Sequence, residues 1–258
     1  MKKFFTLFLC VLLCSFAQSY AVSYGESTSG ITEITLLKSY KDISKNIIVT
    51  GKMKRAAKNL SDDDKNIIIK YVYGAVKGEN TYLLMNGYLR GDLHLYIKAQ
   101  DITKPLKSRM QYYADSLSSS ISKTKLPKNM LLYRGIDEKG MSSIFADKNI
   151  KDILTKPVSY ENTNYIKTKI NGCTFTEKGF MSTSYDINYA KKTKFIFYVK
   201  APKNLQAVFV DGVRTSNESQ TKEIIINKGY KWKVTDVDFV LRKDGSKYYK
   251  ITLKLVLK

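Results

Sequence analysis

Apolar positions along this chain change their period once. From about residue 31 to residue 121 they recur three and four apart, the spacing of one helix face. Ser61-Asp62-Asp63-Asp64 reads as a helix start, a capping hydroxyl followed by acids that suit the positive end of the helix dipole. Ile67, Ile68, Tyr71 and Val72 follow on one face, and Met110, Tyr113, Leu117 and Ile121 mark another over residues 109–122. Beyond Pro127 short runs of β-branched and aromatic residues take over. They cover Met130 to Tyr133, Lys194 to Val199, Ala207 to Val210, Glu223 to Ile226, Lys231 to Val240 and Tyr248 to Val256. Asp244-Gly245 between the last two predicts a hairpin, because glycine takes positive φ without penalty. The pattern predicts an α+β fold, with a helical lobe over about 28–125 packed on a mostly antiparallel β core over about 126–258. No repeat or low-complexity linker separates them, so residues 22–258 are expected to form one domain.

The first 21 residues stand outside that pattern. Lys2 and Lys3 precede an apolar stretch from Phe4 to Phe16, and Ser19-Tyr20-Ala21 supplies small residues before a cut. This predicts a secretory signal peptide and a secreted product; the apolar run is too short to span a bilayer comfortably. No later run is long enough to span one, so no transmembrane segment is expected once the leader is gone. Of three cysteines only Cys173 lies beyond the leader, which excludes an internal disulfide framework. The formal charge is +21, or +19 without Lys2 and Lys3, and favours anionic partners. The lysines are spread evenly, and no nucleic-acid recognition motif accompanies them. Specific nucleic-acid binding is therefore not expected. A non-catalytic basic protein that binds acidic surfaces stays open on charge alone.

Three separated segments carry candidate chemistry. In Leu132-Tyr133-Arg134-Gly135 an arginine ends an apolar run beside a residue without a side chain, where its fork can reach into a cleft and grip phosphate. In Gly179-Phe180-Met181-Ser182-Thr183-Ser184, strand alternation puts Ser182 and Ser184 on one face and Thr183 on the other. Such hydroxyls can orient a carboxylate and a ribose. Glu223 opens the apolar run Ile224-Ile225-Ile226, and a carboxylate there is costly unless paired or functional. The only histidine, His94, lies outside these segments in a polar, surface-helix context, and Trp232 sits in an alternating strand as a core residue.

The order Tyr-Arg-Gly, aromatic-x-Ser-Thr-Ser, then a glutamate opening an apolar strand resembles the bacterial mono-ADP-ribosyltransferase toxins of the arginine–serine–glutamate class. Within that class it is most similar to the small single-domain Rho-modifying exoenzymes. Asn86-Gly87-Tyr88-Leu89-Arg90, Ser120 to Pro127 leading into Tyr133-Arg134-Gly135, Phe175-x-Glu177-x-Gly179-Phe180, and the stretch from Asp211-Gly212 to Gly229 carry the likeness from about Leu60 onward. The resemblance implies a two-sheet β core with an NAD cleft between core and helical lobe, and a monomer that uses NAD as co-substrate and no metal. It implies a host protein acceptor of the small-GTPase kind. Arg90 and Arg134 are implied to hold the pyrophosphate and adenylate side, with Asn86, Gly135, Phe180, Ser182 and Thr183 completing the NAD site. Ser182 is implied to orient Glu223, and Glu223 to bond the nicotinamide-ribose 2′-hydroxyl and stabilise an oxocarbenium-like transition state. Nicotinamide departs neutral, so no general acid is required. Tyr189, Lys191 and Lys192 fall in the segment that the family closes over NAD. The family carries Gln or Glu two residues before the catalytic glutamate, where this chain has Thr221, with Gln220 one place earlier. Arg214, Gln220 and Thr221 are the loop residues expected to meet the acceptor. A one-residue shift that brings in Gln220, a different acceptor, or plain NAD hydrolysis are the alternatives at that position.

Overall fold

Ser61 starts a helix as expected, and the same residues tie that helix to a second one. The computed structural model describes residues 47–74, 80–190, 193–214, 222–242 and 244–256, all within one compact unit spanning 40–258. The leader expected over residues 1–21 and the helical pattern expected before residue 47 lie outside the described residues. Among the described residues four α-helices precede the first strand: α1 (Ile47–Lys58), α2 (Asp62–Tyr73), α3 (Thr81–Arg90) and α4 (Lys104–Ser122). At the start of α2 the Ser61 Oγ accepts the Asp64 N–H, and the Asp64 carboxylate accepts the Ser61 N–H, both at 3.3 Å. Asp64 also accepts from Ser120 Oγ at 2.7 Å and from Lys123 Nζ at 2.7 and 2.8 Å, joining α2 to the end of α4. Burial alone pushes the Asp64 carboxyl up, but hydrogen bonds from Lys123, Ser61 and Ser120 outweigh it and hold its pKa at about 2.

After α4 the chain enters β1 (Met130–Ile136). Three helices follow before the next strand: α5 (Glu138–Ile144), α6 (Lys151–Leu154) and α7 (Tyr160–Ile170). The periodic pattern did not reveal them. They are short, and local caps start two of them: Asp137 accepts the Gly140 N–H, and Ser159 accepts the Asn162 N–H. The remaining strands are β2 (Thr174–Thr176), β3 (Met181–Ser184), β4 (Phe195–Ala201), β5 (Ala207–Phe209), β6 (Glu223–Ile226), β7 (Lys231–Leu241) and β8 (Lys247–Leu255). Gly245, at φ 80°, makes the turn between β7 and β8.

The described strands form one mixed sheet in the order β2-β7-β8-β4-β1-β3-β6-β5, in which β4 and β8 run parallel and the other described pairs antiparallel. Two sheets were expected; here the halves are continuous, but barely so. β1 pairs with β4 along Met130 to Ile136, yet with β3 at the single pair Tyr133↔Ser184. One core packs α5–α7 on the large half through Phe145, Ile166, Phe197, Trp232 and Ile251, and continues into the small half through Met181, Ile224 and Ile226. A second joins α2–α4 to the small half through Tyr71, Met85, Leu117, Phe180, Val208 and Ile225. Trp232 is fully buried, as its strand position predicted, and His94 is exposed in a short 3₁₀ turn rather than an α-helix. Among the described residues no helix is long and apolar enough to cross a membrane, and Cys173 is a free thiol.

Helix α1 lies directly against the turn after β5. A Cβ on Gly212 would sit 2.7 Å from both the Lys54 carbonyl oxygen and the Ala57 Cβ. Gly212→Ala is therefore expected to push α1 off that turn and destabilise the protein by roughly 1–3 kcal/mol, read from urea unfolding midpoints.

Candidate active site

The three sequence segments converge where β1 and β3 part. A cleft of about 230 Å³ is lined by Tyr133, Arg134, Gly135, Ser182, Thr183, Ser184, Tyr189, Ala190 and Glu223. β3 and β6 are antiparallel neighbours with Ser184 opposite Glu223, which brings the hydroxyls to the carboxylate. The hydroxyls divide their work. Ser182 Oγ donates to Glu223 Oε1. Thr183 Oγ1 donates to the Ile224 carbonyl at 2.7 Å, and Ser184 Oγ to the Lys222 carbonyl at 3.0 Å. The last two thus hold the β6 backbone while Ser182 alone holds the acid.

Glu223 stands at the start of a buried strand, and burial pushes its carboxyl above the ordinary value of 4.5. The Ser182 hydrogen bond and the Arg214 charge oppose that rise, while Asp211 adds to it. The residue before it is strained. Lys222 has φ 52°, a left-handed conformation unusual for a residue with a side chain. Three bonds fix it there. Its N–H donates to Asp211 Oδ2 at 3.2 Å, its Nζ to Asp186 Oδ2 at 2.7 Å, and its carbonyl accepts from Ser184. Arg214 lies with its guanidinium 4.9 Å from the Tyr73 ring centre. Gln220, Thr221, Lys191 and Lys192 lie outside the described residues. Tyr189 is exposed at the cleft edge.

The remaining expected residues form a buried polar seam beside the cleft. Arg90, the last residue of α3, donates from Nε and Nη2 to Glu177 Oε1 and Oε2 at 2.9 and 3.0 Å. Burial works against its charge, but the Glu177 carboxylate holds it firmly protonated. Arg134 is 8% exposed, and its Nη1 is 3.9 Å from Glu177 Oε2 with no hydrogen-bond partner among the described residues. Asn86 Oδ1 accepts the Phe180 N–H at 2.7 Å, and Asn86 Nδ2 donates to Tyr71 Oη at 2.8 Å. Phe180 packs edge-on against Tyr71. Asn86 and Phe180 therefore brace the approach to β3 instead of lining the cleft. Gly135 is needed for close approach, since a Cβ there would fall 2.6 Å from Thr193 Oγ1.

Glu177 stands in the Phe175-x-Glu177-x-Gly179-Phe180 motif but is not among the site residues expected from sequence. Nor are Tyr71 and the residues of the Lys222–Asp186–Asp211 strap. The place of Glu177 in that motif, two residues before a glycine, was the available signal for it. No signal announced the others. Among the described residues no group of acids, histidines and cysteines is arranged to hold a metal.

A model of the ADP-ribosyltransferase exoenzyme family matches residues 40–258. The chain belongs to this family. It is an NAD-dependent mono-ADP-ribosyltransferase of the toxin kind, transferring ADP-ribose to protein and releasing nicotinamide. Among solved structures, the exoenzyme fold is similar to Plx2a, an ADP-ribosyltransferase toxin from Paenibacillus larvae, at 19% identity and TM-score 0.63, covering 84% of this chain and 98% of that one. It is similar to C3stau2 from S. aureus, solved with NAD, at 18% identity and TM-score 0.64, covering 85% and 98%. BECa, an ADP-ribosylating toxin of a binary enterotoxin of C. perfringens solved with NADH, aligns at 21% identity and TM-score 0.63 over 84% of this exoenzyme and 49% of that chain. No curated protein sequence matches the exoenzyme.

The raised Glu223 carboxyl has a consequence for stability. An acid with a folded pKa above its unfolded value favours folding at low pH; that advantage fades as pH rises through 4.5 and is gone above the folded pKa. Glu223→Gln keeps a partner for Ser182 and removes the buried charge. The variant is expected to melt above the wild type at pH 7, with the gap closing near pH 4, measured by calorimetry across pH.

Proposed function

We propose that Glu223 is the catalytic carboxylate of the transfer, oriented by Ser182, with Arg134 and Arg90 gripping the pyrophosphate of NAD. The hydrogen bond from Ser182 to Glu223, inside a cleft that also holds Arg134, carries this reading. Glu223 accepts the 2′-hydroxyl of the nicotinamide ribose and faces the ribosyl cation that develops as the glycosidic bond opens. An ionised carboxylate in a partly dehydrated cleft stabilises that cation far more than one in water. Nicotinamide leaves as a neutral molecule, so none of these residues need donate a proton to it. The Nη1 of Arg134, which has no hydrogen-bond partner among the described residues, suits a phosphate oxygen, which an arginine fork binds with two charge-assisted hydrogen bonds. Gly135 keeps the backbone beside it low, and Thr183 holds the β6 backbone that presents the acid.

The acceptor is a side chain of a host protein, of the small-GTPase kind that the sequence likeness implied. Arg214, Gln220 and Thr221 are the loop residues proposed to meet it. Residues 1–21 serve as a secretion leader, and residues 22–258 as one transferase domain. Thr221 favours a second reading at one point, because a threonine two residues before Glu223 offers only a hydroxyl where the family has an amide or an acid. NAD hydrolysis without protein transfer is that reading, and nicotinamide release indifferent to any added protein supports it.

The test is labelling of a host-cell lysate with NAD carrying a tagged ADP-ribose, followed by mass spectrometry of the modified side chain. The wild type is expected to label a discrete protein. Glu223→Gln is expected to lower labelling and nicotinamide release by about 100- to 1,000-fold while the Kd for NAD stays within about threefold. Labelling that survives this substitution sinks the assignment of Glu223. Arg134→Lys replaces the fork by a point charge and is expected to raise KM for NAD by about tenfold in the same nicotinamide-release assay.

A further inference from the structure

We infer that Glu177 is the positioning residue that sets both arginines for the pyrophosphate, and that its charge, not its shape, is what NAD binding requires. The inference deepens the proposed function and rests on the reading of Arg90 and Arg134 as phosphate ligands. Glu177 is 3% exposed, and a carboxylate so deeply buried persists only where cations and N–H groups surround it. Oε1 accepts from Arg90 Nε and from the Gly179 N–H, both at 2.9 Å; Oε2 accepts from Arg90 Nη2 at 3.0 Å. Arg90 is thereby locked through one edge of its fork, and the Nη1 edge is turned away from Glu177.

Arg134 is held differently. Its Nη1 stands 3.9 Å from Oε2, near enough for attraction and too far for a hydrogen bond. The donor is buried and has no partner among the described residues, so it waits for an acceptor that Glu177 does not supply. One carboxylate between two guanidiniums keeps them together against their mutual repulsion and leaves a net charge of +1 for an anionic ligand. A bidentate bond from Glu177 to both arginines would consume the donors that the ligand needs.

Glu177 can do this because its own backbone is clamped. Its N–H donates to the Tyr230 carbonyl at 3.0 Å, and its carbonyl accepts the Gly229 N–H at 2.8 Å. The turn that follows β6 thus fixes the residue, while its side chain reaches α3 and β1. Its bond to the Gly179 N–H also braces the approach to Ser182. The same acid therefore links the phosphate-binding arginines to the strand that orients Glu223.

The test compares wild type with Glu177→Gln and Glu177→Asp in nicotinamide release, with ADP and nicotinamide as separate competitive probes. Glu177→Gln is expected to raise KM for NAD and the inhibition constant of ADP together, by about 10- to 100-fold, the scale of lost charge-assisted hydrogen bonds. The kcat is expected to stay within about threefold, and the inhibition constant of nicotinamide to stay unmoved. Glu177→Asp keeps the charge on a shorter arm and is expected to fall between the other two. A loss of packing alone moves the melting temperature and both probes alike, and that outcome overturns the inference. ADP inhibition equal to wild type in Glu177→Gln also overturns it; should that variant not fold, a folded Glu177→Asp whose inhibition constant for ADP rises by more than about 100-fold does so, because the charge is then kept and binding is lost all the same. A wild type that binds neither NAD nor ADP removes the parent reading as well, which separates the two failures.

Discussion

The site depends on the parting of β1 from β3. On one side β1 is paired with β4 along its whole length from Met130 to Ile136; on the other it meets β3 only at Tyr133 and Ser184. A sheet interior has no room for an arginine and a row of hydroxyls, because every backbone group there is paired and every side chain is packed. Where the strands diverge, Arg134 and Gly135 face Ser182 to Ser184 across a gap, and the gap is the cleft. Tyr133, the β1 residue at that junction, packs edge-on against its β4 partner Tyr198, with ring centres 5.0 Å apart. The two halves are then bound by a shared core, which runs from Phe197 and Ile251 in the large half to Met181, Ile224 and Ile226 in the small one, while a second core packs α2–α4 on the small half alone.

A chain with a formal charge of +21 organises its site with a handful of acids. Glu177 gathers two arginines, Asp186 anchors the Lys222 ammonium, and Asp211 accepts the Lys222 N–H. The lysine excess lies elsewhere, spread through the sequence. Net charge can speed the approach of anionic partners, but orientation in the cleft comes from short-range bonds to these acids.

Unfavourable features collect at one place, the start of β6. Lys222 is held in a left-handed conformation, and Glu223 is partly stripped of water beside it. Both persist because Ile224 to Ile226 are fully buried and paired on both sides, with β3 and with β5. Such local conflicts are tolerated when the surrounding structure over-determines them, and they concentrate where chemistry needs a group in an uncomfortable state.

Much of this was legible in the sequence by itself. The change of period at Pro127 divided helical lobe from β core, the Ser61 cap and the Asp244-Gly245 turn formed where their local chemistry demands, and six of the strands lie where β-branched runs predicted them. These features are settled by neighbours in the chain, which is why composition and spacing reveal them. The ordered arginine, hydroxyl and glutamate segments also met in one cleft; the arginine and the glutamate stand on plain apolar runs, whereas the hydroxyls stand on a short strand that no β-branched run marked. The helices α5–α7 were hidden because their apolar faces are short and make sense only against the sheet they cover. The single-pair junction of β1 and β3, the division of labour among Ser182, Thr183 and Ser184, and the grip of Glu177 on Arg90 were decided by tertiary structure alone. Those depend on which groups from distant segments compete for the same buried hydrogen bonds, and Glu177 lies 87 residues from the arginine it binds. Long-range pairing of buried charge leaves no local pattern, since its partner is chosen by the fold and not by spacing along the chain.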